Sequence, residues 1–104
     1  MFFIRRLTLT NANTNYQLYS LFTALDGRVP ARCAELQVQA GSGNTAVVLV
    51  GDGSLSGSVY GKELDTLDSM TIGAGSHANT VALKNVWLRS ASAGQTVNVI
   101  LRVA

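Results

Sequence analysis

Apolar and polar residues alternate along "RLTLT" (6–10), "AELQVQ" (34–39), "ALKNVWLRS" (82–90) and "TVNVILRVA" (96–104), and "TAVVLV" (45–50) is a short β-branched run between turn residues. A period of two sends successive side chains to opposite faces, so each segment predicts a β-strand. Gly, Asn, Ser and Asp interrupt the pattern at "NANTN", "LDGRVP", "AGSGN", "GDGSLSGS", "GAGSHAN" and "SASAGQ". A break about every dozen residues is the spacing of a sandwich or barrel. In "NYQLYSLFTALDG", Leu18, Leu21, Phe22 and Leu25 follow helical spacing while "YQLYS" also alternates. We expect a strand over 15–19 that runs into a helical turn over 20–25, ended by Gly27. Pro30 stands just before the strand that begins near Arg32, and no repeat, linker or charge block divides the chain. The expected fold is all-β: one domain over residues 1–104, an antiparallel β-sandwich of jelly-roll type with roughly eight strands and one short helical turn.

Composition sharpens this picture. A chain of 104 residues can build one core, burying on the order of 60–65% of the surface its unfolded form exposes. Charged residues make up 13% of it, about half the usual share, so the surface is dominated by Ser, Thr, Asn, Gln and Gly. The net charge of +2 comes from eight scattered basic residues, with Arg5-Arg6 the only adjacent pair. A nucleic-acid footprint needs clustered Lys and Arg, so no direct nucleic-acid partner is expected. Cys33 is the only cysteine, which excludes an intrachain disulfide, and its place in an alternating segment suits an inert core thiol made in a cytosolic compartment. "MFFIRRLTLT" puts its apolar residues before its arginines, the reverse of a signal peptide. No stretch approaches the roughly 20 apolar residues of a membrane helix, so we expect a soluble chain with no membrane partner.

The segment "LVGDGSLSGSVYGKEL" (49–64) is the richest in chemistry-bearing residues, and three readings of it compete. Asp52, Ser54, Ser56, Gly57 and Glu63 fall at positions 1, 3, 5, 6 and 12 of a calcium-loop pattern, but only two of them carry charge and the flanks are not helical. A phosphate cradle requires a helix after the glycines, and none is expected after Gly57; "GSGNTA" and "GAGSHA" fail for the same reason. The remaining reading is a shaped bend between strands, with glycines supplying backbone freedom and Asp52 and the serines capping turn amides. His77 is the only histidine and lies in a turn; no Ser-His-acid or metal-ligand set can be built on it, so neither an enzyme nor a cofactor or metal is expected. Glu63 and Asp65 would share one strand face, which reads as strand-edge charge rather than a catalytic pair. Trp87 with Tyr16, Tyr19 and Tyr60 offers a sugar-stacking alternative. Yet Val86, Trp87 and Leu88 make both faces of one strand apolar, which favours burial under a neighbouring subunit.

From about residue 44 onward, over rather more than half the chain, the sequence resembles small virion proteins of tailed bacteriophages. The matching residues are Asn44-Thr45, Val50-Gly51-Asp52, Ser54, Gly61, Leu64, Ser69 and Ala93-Gly94-Gln95. It departs from that pattern at Gly53, commonly Ser, and at "LDTLDS", where a Pro-Gly or Gly-Glu turn is commoner. The resemblance implies a capsid decoration (cement) protein: made in the host cytoplasm, bound to the capsid exterior of the virion, and bridging subunits of the major capsid protein as a homo-oligomer, with a trimer favoured. Interface candidates on this view are Phe2, Phe3 and Arg5 in "FFIRR", Trp87 and Arg89 in "NVWLRS", and Tyr60. The alternative is a tail, baseplate or head-fibre component that holds host glycan through Tyr60 and the 52–58 loop.

Overall fold

The computed structural model describes residues 2–73 and 81–103. Ten strands form among them. The first, β1 (Phe2–Leu9), is followed by β2 (Tyr16–Gln17), helix α1 (Leu18–Leu25), β3 (Arg32–Cys33), β4 (Glu35–Ala40) and β5 (Val48–Gly51). The second half comprises β6 (Lys62–Leu64), β7 (Ser69–Gly73), β8 (Val81–Ala82), a 3-10 turn (Leu83–Asn85), β9 (Trp87–Ser90) and β10 (Gln95–Arg102).

Strand pairing is nested: β1 with β10, β2 with β9, β3 with β8, β4 with β7 and β5 with β6, all antiparallel. The chain therefore runs as one long two-stranded ribbon that turns between β5 and β6. Two further antiparallel pairings, β10 with β4 and β5 with β9, wrap the ribbon into four-stranded sheets of order β1-β10-β4-β7 and β2-β9-β5-β6. This is the connectivity of a jelly roll, and its eight sheet strands match the expected number. The two-residue pair β3–β8 is additional.

The core comes from one phase of each alternation. Leu7 and Leu9 of β1, Leu36 and Val38 of β4, and Val97, Val99 and Leu101 of β10 face Val48 and Val50 of β5, Leu64 of β6 and Leu88 of β9. Register reinforces this, since Val38 lies opposite Val99 and Leu36 opposite Leu101. Helix α1 closes one side with Leu18 and Phe22, one turn apart and fully buried. The helix begins at Leu18, earlier than expected, and the preceding strand shrinks to Tyr16–Gln17, because burying Leu18 and Phe22 together requires helical spacing. It ends at Asp26, whose amide donates to Phe22 O at 2.8 Å, so Gly27 is not its terminator. The expected strand over 82–90 is likewise broken. Leu83 and Val86, three apart, both turn inward through the 3-10 turn, and Trp87 opens β9. His77 and the expected turn around it lie outside the described residues, apart from Gly73, which ends β7.

A polar clamp ties the turn between β4 and β5 to the start of β10. Gln95 is buried; its Oε1 accepts from the amides of Thr45 (2.7 Å) and Ala46 (3.0 Å), and its Nε2 donates to Thr45 Oγ1 and Ala93 O, both at 3.2 Å. Asn44 answers from the other side: its Nδ2 donates to Thr96 O and its Oδ1 accepts from Thr96 N, each at 2.8 Å. Gly41 makes room beside this clamp, because a Cβ there would collide with Thr96 Oγ1 and that side chain would have to move. Gly94 takes φ +77 to start β10, a conformation that costs glycine nothing. Asn44, Thr45, Gly94 and Gln95 together hold this crossing in place.

Candidate functional site

The outer face of the β2-β9-β5-β6 sheet carries the chemistry. Across its strands Leu49 lies opposite both Glu63 and Arg89, and Gly51 lies opposite Trp87. Over this face folds the loop 52–60. Asp52 Oδ1 accepts from the backbone N (2.9 Å) and Oγ (2.5 Å) of Ser54, which closes the first bend. These two bonds hold the Asp52 carboxyl below its ordinary pKa, the Ser54 hydroxyl contributing most. Leu55 then turns back and buries itself against the sheet, close enough that a Cβ on Gly51 would stand 3.1 Å from its Cδ1. Ser56 accepts through Oγ from Val59 N at 3.1 Å, and the amide of Gly61 donates to Val50 O at 2.8 Å, returning the chain to β6. Asn15 locks the arrangement, donating from Nδ2 to Leu55 O at 2.7 Å and accepting from Arg89 Nη1 at 3.1 Å. Segment 49–64 is thus a shaped bend, folded back over its own sheet.

Between this loop and β9 lies a cleft of about 190 Å³, floored by Leu49 and walled by Tyr60, Glu63, Arg89 and Asn13. Tyr60 remains 44% exposed at its mouth. Trp87 is half-buried, and Gly53 of the loop lies near enough that a Cβ there would stand 3.7 Å from its indole Nε1. The loop thus runs beside Trp87 and leaves part of the side chain exposed.

The first three interface candidates fall elsewhere. In β1 the odd positions face inward, so Phe3 packs on the core and Arg5 is drawn under the sheet edge. There its Nη2 donates to Asp26 at 2.6 Å, and its guanidinium lies 5.8 Å from the centroid of the Phe3 ring. Asp26 also accepts from Arg28 Nε at 3.0 Å. Arg28 and then Arg5 hold the Asp26 carboxyl far below the usual carboxylate range. Arg5 is therefore committed within the chain. The even positions face outward, leaving Phe2 at 64% and Ile4 at 63% exposure; Ile100 of β10, opposite Ile4, is 37% exposed.

Sequence reasoning singled out Phe2, Phe3, Arg5, Tyr60, Trp87 and Arg89; the structure puts Tyr60, Trp87 and Arg89 at the outer face of the β2-β9-β5-β6 sheet and Phe2 on the outer face of the other, and turns Phe3 and Arg5 inward. Ile4, Ile100, Leu49 and Asn13 were missed. For Ile4 and Ile100 the signal was present, because fixing Leu7, Leu9, Val97 and Val99 as inward settles the opposite phase as outward. Among the described residues no three acidic, cysteine or histidine side chains come together as a metal site. Cys33 is buried, and desolvation pushes its thiol pKa up, away from the reactive thiolate. Comparisons of the chain with family models, curated proteins and solved structures gave no match.

Proposed function

We propose that this chain is a structural virion protein of a tailed bacteriophage, a decoration protein that coats the capsid exterior and bridges subunits of the major capsid protein as a homo-oligomer, without catalysing a reaction. The observation that carries this reading is the apolar strip of Phe2, Ile4 and Ile100 on the outer face of the β1-β10-β4-β7 sheet. Lone exposed apolar side chains are ordinary, but three adjacent ones on one sheet face support the reading of a contact surface. Arg6 and Arg102 border the strip, with Arg6 Nε 3.4 Å from Asn98 Oδ1 and Arg102 3.7 Å from Glu35. An apolar centre with a polar rim is the usual anatomy of a protein interface. The virion resemblance from residue 44 onward supports the same reading. A low charge content and a polar-uncharged surface suit broad lattice contacts, whose individual weakness is offset by repetition over the shell.

In this account the strip joins copies to one another. Sedimentation velocity at micromolar concentration should find an oligomer, a trimer being favoured. The double substitution Ile4→Ser with Ile100→Ser should release monomers that still unfold cooperatively, since both side chains point outward. A wild-type monomer at that concentration would count against the proposal.

A further inference from the structure

The cleft on the opposite sheet has a composition that the decoration role does not use. Its floor is apolar: Leu49 is nearly buried, with Val47 and Ala91 beside it. Its rim is polar and unspent. Among the described residues the side chains of Asn13, Tyr60 and Glu63 make no hydrogen bond or ion pair, and Arg89 gives one N–H, to Asn15. Glu63 and Arg89 both stand in register with Leu49 on neighbouring strands, so they flank the floor about 5 Å to either side.

We propose that this cleft binds a neutral saccharide, seating one pyranose ring over Leu49 and against Tyr60. A pyranose presents a C–H face to an apolar floor and a girdle of hydroxyls that both donate and accept. The rim offers matching partners: a carboxylate that accepts, a guanidinium that donates, and an amide and a phenol that do both. Glu63 and Arg89 bring one charge of each sign to the rim, which therefore carries no net charge and disfavours an anion such as phosphate. An extended peptide would seek an open strand edge, and these groups lie on a sheet face. At about 190 Å³ the cleft falls below the range of drug-sized pockets, which fits a single ring held weakly. The site is also built in advance. Asn15 pins the loop to Arg89, and Asn13 sits at φ 54, with its amide donating to Ser90 O at 2.7 Å, so its side chain is already presented at the rim. Little ordering cost then falls on the ligand. The binding stands independently of the decoration role; if both hold, many weak sites per particle would act together on a sugar-bearing surface.

The test is a nitrogen-15 amide titration of the full chain with the methyl glycosides of glucose, galactose, mannose and N-acetylglucosamine, with inorganic phosphate as a parallel probe. We expect saturable shifts at Leu49, Tyr60 and Arg89 with at least one glycoside, at millimolar affinity. Tyr60→Ala should weaken that binding at least tenfold while amide positions in the opposite sheet stay unchanged. Tighter binding of a tetrasaccharide ending in the same sugar would place the ring in a longer surface chain, and equal binding would assign it a single terminal residue; both support the site. Saturation by phosphate with no response to any glycoside would overturn the proposal, as would sugar binding that Tyr60→Ala leaves intact.

Discussion

The Gln95 clamp gives the sharpest energetic expectation. Gln95→Leu keeps the side chain close to its original volume but removes the acceptor for two amides and the donor for two oxygens, at a site only 5% exposed. A buried amide left without a partner costs about 1–3 kcal/mol. Thr45 is exposed and Ala46 only half-buried, so water can partly replace the lost acceptor at both; we take the lower half of that range for each amide and expect a total of about 2–4 kcal/mol. Against the 5–15 kcal/mol typical of a whole domain, roughly a third of the stability is at stake. Near the midpoint, 1 kcal/mol shifts the melting temperature of a domain this size by about 4–8 °C, so Gln95→Leu should melt about 8–30 °C lower. Urea unfolding of wild type, Gln95→Leu, Asn44→Ala and the double variant supplies the free energies. Because Asn44 and Gln95 grip the same crossing, the double variant should lose less than the sum of the singles. A loss below about 0.5 kcal/mol for Gln95→Leu, the scatter of ordinary surface changes, would refute the clamp.

Two further expectations concern single positions. Leu67 holds φ 67 in the turn after β6 and is 56% exposed; relief of about 1–2 kcal/mol of left-handed strain, less the roughly 0.5–1 kcal/mol entropic cost of glycine, should make Leu67→Gly more stable. A lower melting temperature for that variant would contradict the strain. Asp26 has a pKa depressed chiefly by Arg28 and secondarily by Arg5, so its contribution is present above the carboxylate's unfolded pKa, declines below it, and is lost as pH falls through the lower folded pKa. Wild-type stability should therefore fall below about pH 4 more steeply than that of Asp26→Asn. Parallel melting profiles in acid would exclude the network.

Much of the fold was legible because alternation is a local property. The phase of Leu7 and Leu9, or of Val97, Val99 and Leu101, assigns inner and outer faces without any knowledge of the partner strand. Nested pairing was not legible, since β1 and β10 meet across the whole chain and nothing local names the partner. The helix start at Leu18 and the break at Leu83 were decided by tertiary burial, which turned ambiguous segments toward three- and four-residue spacing. The same holds for the site. Glycines and serines in 51–58 announced a bend, but not that Leu55 would fold back onto its own sheet and, with Asn15, build a cleft beside Arg89. Gln95 and Thr45 were legible only as turn residues; that Gln95 would accept from the Thr45 amide and donate to its hydroxyl depends on a crossing 50 residues away in the chain.

The central claim, that the protein strengthens a shell it does not build, is tested most directly by preparing virions with and without it and heating both while following DNA release. A ligand that prefers the assembled lattice to free subunits stabilises that lattice without being needed for its formation. The account predicts particles that assemble normally without the protein but release DNA at a lower temperature, with the loss restored by adding back wild type and not by Ile4→Ser with Ile100→Ser. Particles that lack it, withstand heat as well as wild type and fail only to adsorb to cells would contradict the account and assign the chain to host attachment.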